Sequence, residues 1–111
     1  MSETAVDTHA NRNFKQTVLE RVQREPALAR ALLDEAASLF LNGDPATARV
    51  ILRDLVNATV GFEGLASATE RPSTSLRRML SASGNPGIDN LSAIFDVLRR
   101  NLKVDIEVRA A

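Results

Sequence analysis

Between Glu70 and Asp89 the chain carries no acidic residue, while Arg71, Arg77 and Arg78 supply guanidinium groups and Ser73, Thr74, Ser75, Ser81, Ser83 and Asn85 supply hydroxyl and amide groups. Guanidinium forks match phosphate oxygens and the acceptor edge of guanine, and short hydroxyl and amide side chains bond phosphates or base edges. Such a stretch suits contact with nucleic acid better than it suits bond-breaking chemistry.

Composition removes most of the alternatives. With no cysteine and one histidine, thiolate nucleophiles, disulfides, clustered zinc ligands and a histidine-based catalytic triad cannot be built. The single His9 falls in a segment too polar to hold a general base in fixed geometry. The adjacent carboxylates Asp34 and Glu35 lie on the polar face of an expected helix, where solvation is a better account than acid–base work. The reading is therefore a non-enzyme, with no catalytic residue, no metal and no cofactor.

The basic stretch is hidden in the average. The 14 basic and 14 acidic residues cancel over the 111-residue chain. Residues 61–104 nevertheless hold Arg71, Arg77, Arg78, Arg99, Arg100 and Lys103 against Glu63, Glu70, Asp89 and Asp96, whereas residues 1–60 lean slightly acidic. A difference this small says little by itself; its placement gives it weight.

The elements that must position these side chains are helical. Residues 1–12 are small and polar without periodicity, and read as a disordered arm. Residues 13–111 read as one domain. Asn13 and Gln16 suit a helix start, with Phe14, Val18 and Val22 on one face and an end near Arg24. Pro26 opens a second helix whose Ala29, Leu32, Leu33, Ala36, Ala37 and Phe40 keep the 3.6-residue period, closed by Asn42 and Gly43. Asp44 and Pro45 open a third, with Ala48, Ile51, Leu52, Leu55 and Val56 inward and a break at Gly61.

Residues 61–82 then carry two short helices around a turn at Glu70 to Pro72. The small Ala66 marks their close approach, and Leu76, ten positions on, marks the apolar contact that holds the second one down. Ser73 is expected to cap that second helix, leaving Thr74 and Ser75 in its exposed first turn. An arbitrary arginine pair is usually a solvated face. Here the face opposite Arg77 and Arg78 is taken by Leu76, Met79 and Leu80, which leaves the arginines directed outward. A loop over Gly84 to Gly87 leads to a last helix starting at Asp89 or Asn90, with Leu91, Ile94, Phe95, Leu98 and Leu102 inward.

Residues 103–109 alternate strictly, Val104, Ile106 and Val108 apolar between Lys103, Asp105, Glu107 and Arg109. This predicts a strand in a chain with no second strand. Its partner should be the same strand of a second subunit or an edge offered by another protein; dimerisation is the simpler answer, with Val104, Ile106 and Val108 at the dimer interface.

The stretch GFEGLASATERPSTSLRRMLSASGNPGIDNLSAIFDVLRRNLKVDI resembles the helix-turn-helix antitoxins described as probable addiction-module antidote proteins, of HigA type. Leu65 and Ala66, Ser73, Leu76, Met79 and Leu80, the Gly84-Asn85-Pro86 loop and the leucine-rich last helix carry the resemblance. PALARALLDEAASLFLNGD and TARVILRDLVNAT extend it upstream, to cover about residues 20 to 108. It implies an all-α, lambda-repressor-like bundle with extra N-terminal helices, binding operator DNA as a homodimer, with a small toxin as a second partner. It places base-reading roles on Ser73, Thr74, Ser75, Arg77 and Arg78 and phosphate contact on Ser83 to Asn85. Arg71 joins this DNA-binding set as part of the basic patch. One departure stands out: Glu70 occupies a turn position where the family usually has glycine. A non-glycine residue at positive φ is costly, so the turn is expected to differ in shape.

The function implied is that of a bacterial repressor that regulates its own toxin–antitoxin operon and neutralises the toxin. A stand-alone helix-turn-helix regulator and a helical interaction module without DNA binding remain open beside it. A neighbouring toxin-like reading frame separates the first two, and a gel shift on upstream DNA separates the third. The opening MSETAVDTHANRN has no apolar run behind a basic one, and no run approaches the ~20 apolar residues that span a bilayer. A cytoplasmic, nucleoid-associated protein without membrane contact is expected.

Overall fold

A computed structural model of the chain describes residue 17 and residues 19–111. The expected arm over residues 1–12, His9, the Asn13–Gln16 cap, Phe14 and Val18 lie outside the described residues. Residues 19–24 are helical and lead into five helices: α1 (Pro26–Leu41), α2 (Pro45–Ala58), α3 (Gly61–Thr69), α4 (Ser73–Met79) and α5 (Ile88–Leu102).

The first breaks are set by local chemistry, and they fall where proline and cap residues direct. Glu25 takes an extended conformation before Pro26, which starts α1. Gly43, at φ +88°, closes α1: its own N–H donates to Phe40 O, and the N–H of Asp44 reaches back to Leu39 O at 2.8 Å. The Asp44 carboxylate then accepts from the Thr47 N–H at 3.2 Å, with Pro45 next to it, so one short segment ends one helix and caps the following one.

Among the described residues, the apolar stripes of the five helices turn inward. Leu33 and Ala36 of α1, Leu52, Leu55 and Val56 of α2, Leu65 of α3, Leu76 of α4 and Ile94 and Leu98 of α5 form one buried cluster, which Val22 of the leading segment joins. The pair α1 and α2 forms one side, α3 lies against α2, α4 and α5, and α5 returns to α1. Phe40 and Phe95 meet edge to face, ring centres 5.9 Å apart, where α1 and α5 touch. Among the described residues no polar or charged side chain is buried, so the fold rests on apolar packing.

Two sequence expectations at helix starts shift. α5 begins at Ile88, with Gly87 at its cap, rather than at Asp89 or Asn90. α4 begins with Ser73 as its first helical residue, because the Pro72 carbonyl already accepts the first bond, from the Leu76 N–H at 3.1 Å. Ser73 therefore does not cap the helix; Pro72 holds that position without a side-chain bond.

The strand expected over residues 103–109 is absent. Lys103 is left-handed (φ 59°, ψ 49°) and closes α5, with the Val104 N–H donating to Arg99 O at 3.1 Å. Residues 104–111 have no regular secondary structure, since a ladder needs a paired edge and none of the N–H groups from Asp105 to Ala111 donates to a described residue. The alternation survives in burial. Val104 and Ile106 pack against the core while Asp105 and Glu107 face out.

Candidate nucleic-acid interface

The turn between α3 and α4 is three residues long, and Glu70 is its pivot. Glu70 takes φ 56°, ψ 40°, and the Arg71 N–H donates to Ala66 O at 3.2 Å, a closure usually made with glycine. The expectation that a glutamate would alter this turn is corrected: the side chain is accepted in the left-handed conformation. Ala66, half-buried against the core, and the fully buried Leu76 hold the two helices together across the turn.

With Leu76 and Leu80 buried and Met79 half-buried, α4 presents Thr74, Arg77 and Arg78 to solvent, with Ser73 and Ser75 half-exposed. Ser75 and Arg78 line a shallow concavity of about 320 Å³ together with Met79, Ser83, Gly84 and Asn85. Four residues expected at the interface, two from α4 and two from the loop after it, thus share one surface.

Arg77 stands apart from that concavity. Its guanidinium lies over the Phe62 ring, 4.8 Å from the centre, and 4.0 Å from the exposed Glu63 carboxylate. Both contacts are on α3, so Arg77 braces the pair of helices while its charge remains at the surface.

Arg71 does not join the surface defined by Ser75 and Arg78. Its Nε donates to Asn90 Oδ1 at 2.6 Å and its Nη1 to the Thr69 carbonyl at 3.0 Å, which ties the turn to the first turn of α5. Its bonds in the fold are structural, and of Arg71, Arg77 and Arg78 only Arg78 makes no side-chain bond or ring contact with a described residue.

The loop that completes the concavity is held from behind by a residue that the sequence reading passed over. Arg49, half-buried on α2, donates from Nε to Ser81 O and from Nη2 to Ala82 O, each at 3.1 Å. The Ser81 hydroxyl in turn donates to Arg78 O at 2.7 Å. Gly84 closes the loop against the end of α4. A Cβ there would overlap the Met79 carbonyl oxygen and lie 2.6 Å from that of Arg78. Only glycine allows this approach. No local pattern marks Arg49, since its partners lie more than thirty residues away.

Val104, Ile106 and Val108 divide. The first two cover the core, and Val108 is 74% exposed beside Leu41 of α1, at 66%. The segment is secured by Arg99, which donates to Val104 O at 3.4 Å, Asp105 Oδ1 at 3.3 Å and Asp96 Oδ1 at 2.7 Å. Arg100 also pairs with Asp96, at 3.1 Å. The Arg99 hydrogen bond is the main cause holding the Asp96 carboxyl below its ordinary range, against partial desolvation, and the same bond raises Arg99.

No family model, curated protein or solved structure matches the chain. Among the described residues no group of three or more His, Asp or Glu side chains is placed to hold a metal ion, and no helix is long and apolar enough to cross a membrane.

Proposed function

We propose that the chain is a sequence-specific DNA-binding antitoxin: a homodimeric repressor of its own operon that neutralises a small toxin, built on a lambda-repressor-like bundle in which α3 and α4 are the helix-turn-helix. The observation that carries this reading is the shared surface of Ser75, Arg78, Ser83 and Asn85, set on a helix whose other face is buried by Leu76 and Leu80. Base contacts fall to Thr74, Ser75 and Arg78, and phosphate contacts to Ser83 and Asn85, with Arg77 adding charge at the edge. Arg71, bonded to Asn90, and Arg49, bonded to the loop, keep the reading surface rigid. The antitoxin part rests on the resemblance of residues 61–106 and the segments upstream of them.

A gel shift of the full chain on its own upstream DNA, with unrelated DNA as competitor, tests the reading. A saturable shift that resists competitor is expected. Equal binding to both DNAs, or none, overturns the DNA-binding reading, and a shift without any neighbouring toxin-like reading frame leaves a stand-alone regulator.

A further inference from the structure

We infer that Glu63 competes with DNA phosphate for the Arg77 guanidinium, and so limits how tightly the surface of α4 holds DNA of any sequence. This rests on the DNA-binding reading above but not on its toxin or its dimer.

Arg77 is held in place without being satisfied. Phe62 is 4% exposed and turns a ring face to the guanidinium, 4.8 Å from the ring centre, which fixes the plane of the group. The Glu63 carboxylate oxygen lies 4.0 Å from Arg77 Nη2, an ion contact too long for a hydrogen bond. Arg77 donates no hydrogen bond to a described residue, although a guanidinium carries several N–H donors. The contrast is Asp96, which accepts from Arg99 at 2.7 Å and belongs to the fold of the α5 end. The pair at Glu63 is loose enough to exchange, and its carboxylate side chain is 82% exposed.

Position gives the loose pair its effect. Arg77 stands beside Arg78 on the solvent side of α4, in the stretch between Glu70 and Asp89 that has no acid of its own. Among the described residues Glu63, on α3, is the acid that pairs with an arginine of α4. A phosphate oxygen bonded to Nη2 at about 2.8 Å lies no more than about 7 Å from that carboxylate, inside the screening length of about 8 Å at physiological salt. A phosphate at Arg77 therefore displaces an attraction and meets a repulsion, together about two- to tenfold in affinity. Both effects are the same for every DNA sequence, since phosphate contacts carry no sequence information. The plainer role of Glu63, an acid in the first turn of α3 that suits the helix dipole, affects stability and not DNA affinity.

A double-mutant cycle on the full chain separates these roles. The parent, Glu63→Gln, Arg77→Gln and the double variant are titrated by anisotropy against the chain's upstream DNA and an unrelated duplex, at low and moderate salt, with urea unfolding to confirm the fold of each. Glu63→Gln should bind both DNAs about two- to tenfold tighter, with unchanged base preference and the larger gain at low salt. On the Arg77→Gln background the same substitution should gain clearly less, because only the repulsion is left to remove. An equal gain on both backgrounds overturns the competition and makes Glu63 a simple repeller of DNA. A parent that binds its upstream DNA beside a Glu63→Gln variant that binds no tighter overturns the inference alone and leaves the DNA-binding reading standing. No binding by any of the four proteins to either duplex overturns both.

Discussion

Arg49 and Ser81 are joined by a hydrogen bond of 3.1 Å from guanidinium Nε to carbonyl oxygen, and the same guanidinium holds the Ala82 carbonyl at the same distance. The middle of α2 thereby sets the path of the loop that leaves α4. Arg49→Ala should cost about 1 to 3 kcal/mol of stability through two lost bonds from a charged donor. It should also weaken operator binding without altering its salt dependence, because Arg49 is spent on carbonyls rather than on phosphate. Urea unfolding and anisotropy titrations at several salt concentrations separate the two effects. Arg49→Lys keeps the charge but not the fork, and should recover only part of either loss. A fall in the salt slope of either variant would make Arg49 a phosphate contact.

Arg71 and Arg78 should behave differently although both are arginines of one basic stretch. Arg78→Ala should lose ~1 to 3 kcal/mol of operator affinity and relax preference at one base position. Arg71→Ala, which breaks the bond to Asn90 Oδ1, should lower unfolding stability and leave base preference unchanged. Binding to a panel of single-base operator variants decides between these roles. A relaxed base preference in Arg71→Ala would return that residue to the interface.

The parts of this fold that were legible in the sequence are those whose causes are local. Pro26, Asp44 and Pro45 act on neighbours within four residues, and the apolar stripes report a helical period wherever they bury. The closeness of Ser75 and Arg78 to Ser83 and Asn85 has the same local cause, since a helix and the loop after it stay close, while the roles given to these residues came from the resemblance. Errors arose where the cause is distant or shared. Ser73 lost the cap position to Pro72 by one residue. The bond of Arg71 to Asn90, nineteen positions away, leaves no local mark in the sequence, and neither do the carbonyl partners of Arg49. The alternation over residues 103–109 marks Val104 and Ile106 as facing in but fails at Val108, which is exposed, and a strand also needs a partner edge that the described residues do not supply.

Glu70 supports a turn that glycine would make at less cost. At φ 56° it carries a Cβ in the left-handed region, and the Arg71 N–H bond to Ala66 O holds it there. Glu70→Gly should therefore raise unfolding stability by up to about 1 kcal/mol, the strain removed exceeding the added freedom of the unfolded chain. The midpoint of urea unfolding should rise with an unchanged slope. A lower midpoint would mean that the Glu70 side chain contributes a contact larger than the strain.

Acid should loosen the end of α5. Asp96 accepts from Arg99 and pairs with Arg100, which holds its carboxyl below the ordinary range, the Arg99 bond first among the causes. A carboxylate depressed in the folded state adds stability that is fully present above its unfolded value of about 4 and is lost as pH falls through the lower folded value. The stability difference between the parent chain and Asp96→Asn should thus be constant at pH 5 and above and shrink below about pH 4. Urea midpoints measured stepwise from pH 6 to 2.5 follow it. A difference independent of pH would show that the ion pairs of Asp96 add nothing to folding.

Removing residues 104–111 is the obvious way to ask whether the final segment mediates the proposed dimer, but it also strips Val104 and Ile106 from the core. The truncated chain should lose both stability and self-association, which leaves cause and consequence entangled. Val108→Asp separates them. Val108 is 74% exposed in the isolated chain, so a carboxylate there keeps its water and should leave the unfolding midpoint of the monomer within about 0.5 kcal/mol of the parent. If the final segment makes the dimer, the same carboxylate would be covered by the second copy and lose that water, so the dimer should weaken by a factor of ten or more, for a desolvation cost of about 1.4 kcal/mol or above. Operator affinity should fall with it, because two recognition helices reach successive major grooves about 34 Å apart only when one two-fold axis sets them. Sedimentation, unfolding and operator titration on this one variant give three readings. A weakened dimer with unchanged operator affinity would mean that each subunit reads its half-site alone, and an unaffected dimer would place the subunit contact elsewhere on the bundle.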